Sequence, residues 1–83
     1  MPLTTIDKSI TAQLDIIRRC LTCIVSNTLI AQDDIAKGHR NAAIGALLNN
    51  QELIHNLKTL HEAIFLIHRN ADAFENQGEP HDQ

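Results

Sequence analysis

Cys20 and Cys23 form a C-x-x-C, and three of the five histidines, His55, His61 and His68, fall close together in the second half of the chain. Thiolates and imidazoles carry redox chemistry and metal ligation, so their spacing is the first thing to test. A redox C-x-x-C needs its first sulfur at a helix N-terminus, where the thiol pKa is depressed. Here Leu21 and Ile24 interleave with the cysteines in an apolar helical period, which puts the pair inside a helix as small hydrophobes. One pair supplies two of the four ligands of a structural zinc site, and only pooling across a symmetric dimer would complete it. Glu52 and His55 make the Glu-x-x-His half-motif of di-metal carboxylate bundles. Its other half is missing, because the first half of the chain offers only Asp7, Asp15, Asp33 and Asp34. No metal and no cofactor are expected. His61 and His68, seven apart, form a stripe with Leu47 and Ile54 beside an apolar seam. They read as boundary histidines with one edge in water, or as a protonation switch near neutral pH.

His55-Asn56-Leu57-Lys58 resembles the His-x-Leu-Lys core of histidine phosphotransfer domains. The resemblance covers four residues and implies an exposed phosphoacceptor, His55, supported electrostatically by Lys58. The family commonly has a small glycine after the lysine, whereas Thr59 and Leu60 follow it here. Paired acids, an activated nucleophile and a glycine-rich phosphate loop are all lacking. The sequence therefore reads as a non-enzyme with no evident small-molecule substrate.

The elements that carry these residues are helices. Leu53, Leu57, Leu60, Ile64, Ile67, Ala71 and Phe74 alternate at spacings of four and three, the seam of a coiled coil. A second seam runs through Ile10, Leu14, Ile17, Leu21, Ile24, Thr28, Ala31 and Ile35. Thr4 or Thr5 can cap the first helix, with Asp7 in its first turn. Lys37 and Gly38 supply a C-terminal stop, although Asp33 and Asp34 near that end favour fraying from about Gln32. The reading is an N-terminal tail at 1–4, helix 1 over 5–37, a turn at 38–40, helix 2 over 41–75 opened by His39 or Asn41, and a disordered polar tail at 76–83.

Two helices of ~50 Å do not fit a compact monomer, whose radius of gyration is about 12 Å for this length. They fit an all-α antiparallel hairpin, folded at Gly38, that homodimerises into a four-helix bundle. Its core is expected from Leu14, Ile17, Leu21, Ile24, Thr28, Asn50, Leu53, Leu57, Leu60, Ile64 and Ile67. Thr28 and Asn50 come to similar heights and are expected to share a polar layer that fixes register. The alternative is a helix break near Asn49-Asn50, where Asn49 and Glu52 match a capping box, giving a three-helix bundle.

With 83 residues the chain is one domain at most, and a core this small is often marginal, so stapling or oligomerisation is expected. A net charge of −3 with scattered lysines and arginines argues against a surface that binds duplex phosphates. Charged residues interrupt every stretch that could span a membrane. No basic-then-apolar leader is visible, so a cytoplasmic location is expected. Phe65 and Leu66 lie off the seam and are matched on helix 1 by a second stripe at Ile16, Cys20 and Cys23. A helix apolar on two sides is covered on two sides. The expected function is a small regulator or adaptor that contacts itself and another protein, with Phe65, Leu66, Ile16 and Arg19 as candidate partner-facing residues. The competing class is a Rop-like bundle binding structured RNA through Arg18, Arg19, Lys58 and Arg69, which would have to merge into one patch.

Overall fold

The computed structural model describes residues 4–76, with side chains placed through residue 73. The side chain of Phe74, nearly all of the N-terminal tail and residues 77–83 of the expected C-terminal tail lie outside the described residues. Two long helices form the antiparallel hairpin: α1 spans Thr5–Ala36 and α2 spans Arg40–Arg69, followed by a short α3 at Ala71–Asn76.

Each boundary has a local cause. At the start of α1 the Thr4 hydroxyl accepts from the Asp7 amide at 3.0 Å, and the Asp7 carboxylate faces the exposed amides of the first turn. At its end Gly38 adopts φ +80°, with the Gly38 amide donating to Ile35 O at 3.0 Å and the His39 amide to Asp34 O at 2.7 Å. That is the paired hydrogen bonding of a Schellman motif, whose left-handed residue favours glycine. α1 holds together through Ala36 instead of fraying at Gln32, and the Lys37 ammonium reaches Asp33 at 2.8 Å across one turn. α2 begins at Arg40 after His39, which makes no side-chain cap.

α2 passes through Asn49 and Asn50 without a break, so the three-helix alternative interrupted there is excluded. The interruption falls at Asn70 instead, where both the backbone amide and Nδ2 donate to Leu66 O, at 3.1 and 2.9 Å. That side chain competes with helix continuation. The expected single helix over 41–75 is therefore two segments, the second still touching α1.

The inward residues of α1 include Ile6, Ile10, Gln13, Ile17, Cys20, Ile24, Asn27, Ala31 and Asp34, and those of α2 include Ala43, Ala46, Asn50, Leu53, Leu57, Leu60, Ile64 and Ile67. α2 follows the expected seam. α1 does not: Leu14, Leu21, Thr28 and Ile35 are exposed, and the residues one place earlier, Gln13, Cys20, Asn27 and Asp34, turn toward α2. Two seams share Ile10, Ile17, Ile24 and Ala31, and the hairpin uses the more polar one. Consequently Asn50, 7% exposed, accepts from Asn27 Nδ2 at 2.9 Å, while the Thr28 hydroxyl donates back to Ile24 O at 2.7 Å. The expected polar layer exists, but its α1 member is Asn27 in place of Thr28.

The extents are 69 × 23 × 10 Å, with a radius of gyration of 19.3 Å. The smallest dimension equals one helix diameter, so the hairpin is a single layer. The chain exposes 6505 Å², against roughly 5,000 Å² for a compact monomer of this mass.

Candidate interaction surface

A one-layer hairpin has two broad faces, and the grooves between its helices identify them. Near the turn an open groove of 480 Å³ has Ala31 and Ala43 at its floor, with Thr28 and Ile35 of α1 and Ile44 and Leu47 of α2 along its sides. Small floor residues let the two backbones approach closely, and Ala43 is fully buried. Residues seven apart keep the same place beside a coiled-coil seam. Leu14 and Leu21 thus share the side of Thr28 and Ile35, Ile54 shares that of Leu47, and Phe65 that of Ile44. Val25, one turn beyond Leu21, joins them. All these large apolar side chains are between 41% and 59% exposed, Phe65 the most open of the α2 set. This side is the apolar face.

Its charged and titratable groups are Asp7, Arg18, Lys58, His61 and His68 in the half remote from the turn, and Arg40 beside the turn. The His61 Nδ1–H donates to Leu57 O at 2.6 Å, because a carbonyl can only accept. That bond turns the ring back along α2 to lie tilted against Phe65, with centroids 6.3 Å apart. The expected stripe of Leu47, Ile54, His61 and His68 is present, and it borders this face.

The opposite face is mixed. A groove of 210 Å³ is lined by Ile16, Cys20, Asn56, Thr59 and Leu60. By the same seven-residue repeat Cys23 and Ile30 lie on the side of Ile16, and Leu66 on the side of Thr59. Ile16, Arg19 and Leu66 therefore share this face, while Phe65 stands on the other, so the four candidate partner-facing residues do not form one patch. Arg19 is also engaged, reaching Asp15 at 3.0 Å while Arg18 holds the same carboxylate at 2.8 Å. The hydrogen bond from Arg18 keeps the Asp15 carboxyl below its ordinary pKa; desolvation opposes this, and the charges of Arg19 and Arg18 reinforce it. Arg18 and Lys58 lie on the apolar face and Arg19 on the mixed one. The four cations of the RNA reading are thus divided between faces of one hairpin.

His55 is exposed on the outer side of α2, away from the seam. Cys20 is half-buried in the seam, Cys23 is exposed, and both thiols are free. Among the described residues no three His, Cys, Asp or Glu side chains gather closely enough to hold a metal ion, and no helix is long and apolar enough to cross a membrane. What the hairpin offers chemically is apolar surface on two sides of a layer one helix thick. No protein-family model, curated protein or solved structure matches the chain.

Proposed function

We propose that this protein is a small non-enzymatic adaptor or regulator, working as a homodimeric four-helix bundle whose outer surface contacts another protein. The observation that carries the reading is the choice of seam in α1. The hairpin turns Gln13, Asn27 and Asp34 inward and leaves Leu14, Leu21 and Ile35 in water. A free-standing hairpin would gain by the reverse choice, since each large apolar side chain left exposed forgoes ~1.5–3 kcal/mol. The arrangement becomes favourable once a second layer covers the leucines, because a helix in a four-helix bundle packs a stripe three positions wide in every seven. A stable interface takes about 800 Å² from each partner, and the apolar face runs along both long helices.

The mixed face then stays outside the bundle, with Ile16, Cys23, Ile30 and Leu66 available to a different protein. Free cysteines suit a reducing compartment such as the cytoplasm. Sedimentation equilibrium tests the reading, with a dimer expected at micromolar concentration. A monomer at every concentration overturns it. A variant carrying Ile16→Glu and Leu66→Glu is expected to remain dimeric while losing any protein that co-purifies with the wild type.

A further inference from the structure

Resting on that bundle reading, we infer that the second copy lies antiparallel on the apolar face, so that Phe65 of each copy fills the groove over Ala31 and Ala43 of the other. The Asn27–Asn50 hydrogen bond sets the levels of the hairpin: a residue some number of places before Asn27 is level with the one as many places after Asn50. Leu21 and Ile54 then lie at nearly one level, close to the midpoint of both long helices. Phe65 stands about ten residues from that level toward the open end, and the groove about ten residues toward the turn. Both distances are ~15 Å at 1.5 Å per residue. A two-fold axis lying in the interface at the Leu21–Ile54 level, perpendicular to the helices, exchanges them. The most exposed large side chain of α2 on this face is thus carried onto the turn-proximal groove of its partner, and the contact occurs twice, as an isologous interface requires.

The cations nearest mid-height favour the same arrangement. Arg18, Lys58, His61 and His68 occupy the open half of the face together with Asp7, and Arg40 stands at its turn end. A parallel partner would set Arg18 and Lys58 level with their own copies, with like charges opposed. The antiparallel partner brings Val25 and Gln51 opposite Arg18 and Lys58, Ile35 opposite Asp7, and Ile44 and Leu47 opposite Phe65 and His61, with Arg40 near His68. A parallel pair would also leave the groove facing a groove and Phe65 facing Phe65.

Disulfide trapping separates the arrangements in a Cys20→Ala, Cys23→Ala background. The antiparallel dimer predicts a covalent dimer when Ile44→Cys and Phe65→Cys are combined, and none with Phe65→Cys alone, where the two thiols stand ~30 Å apart. In the natural background, Phe65→Ala is expected to weaken self-association on the order of a hundredfold, because each substitution empties two grooves. A dimer that cross-links through Phe65→Cys alone, or one indifferent to Phe65→Ala, overturns the arrangement and leaves the bundle standing. A wild-type chain that sediments as a monomer removes both.

Discussion

Asn27 Nδ2 donates to Asn50 Oδ1 at 2.9 Å between residues twenty-three positions apart, the one side-chain hydrogen bond linking the two long helices among the described residues. Asn50 is nearly buried, and no buried side-chain nitrogen or oxygen among the described residues lacks a partner. The pair therefore fixes which residues of α1 meet which residues of α2, since a slip along the seam would strand both amides in apolar surroundings.

Removing one member strands the other. Asn50→Leu is expected to lose about 1–3 kcal/mol, whereas Asn27→Leu combined with Asn50→Leu should recover most of that loss or exceed wild-type stability. Urea titration of the four species forms a double-mutant cycle that checks this. The cost of the double variant should surface as a less unique register, visible as broadened amide resonances.

The two described glycines should respond in opposite directions. Gly45, inside α2, has nothing near the position of an added Cβ, so Gly45→Ala should raise stability by about 0.5–1 kcal/mol. Gly38 is equally unobstructed but has φ +80°, where an L side chain is strained, and Gly38→Ala should lower stability by about 1 kcal/mol. Thermal melts at matched concentration distinguish the signs.

The helix start gives a third test. With Thr4 capping the Asp7 amide, Thr4→Ala should cost about 0.5–2 kcal/mol and Thr4→Ser much less. Amide exchange in the first turn of α1 should quicken in the alanine variant before the rest of the helix responds.

Acid sensitivity follows from Asp15. Its carboxyl, held by Arg18, has a folded pKa below its unfolded value, so the unfolded chain binds more protons as pH falls through the carboxylate range. The stabilisation is present above the unfolded pKa of about 3.9 and is lost as pH drops through the lower folded value. Asp15→Asn should abolish this part of the difference between pH 7 and pH 2.5 in denaturation midpoint. The effect should be small and shrink with added salt, because the groups are exposed.

The alternation of fours and threes from Leu53 to Ile67 reads directly as the inward side of α2, because its neighbours at the competing offsets include His55, Lys58, Glu62 and His68. Helix 1 carries two equally periodic seams through the same isoleucines, and hydropathy favours Leu14 and Leu21 over Gln13 and Cys20. Pairwise packing inside one hairpin does not obey that preference, since the leucines lie on the exposed apolar face. The stop at Asn70 is hidden for a different reason: Ala71 and Phe74 continue the apolar period, so only the reach of the Asn70 amide to Leu66 O marks the boundary. The candidate surface was half legible. Phe65 and Leu66 announce that α2 needs covering twice, but their division between faces depends on which seam α1 adopts.

The three-residue link through Gly38 also orders events in time. Residues beside the turn meet across a short loop, while those near Ile6 and Ala71 must close most of the chain, and loop closure grows costlier with length. The hairpin should therefore zip from the turn and fray from its open end. An antiparallel mate would lay its own firmly closed end over that fraying one, so that each copy fastens the last part of the other to form.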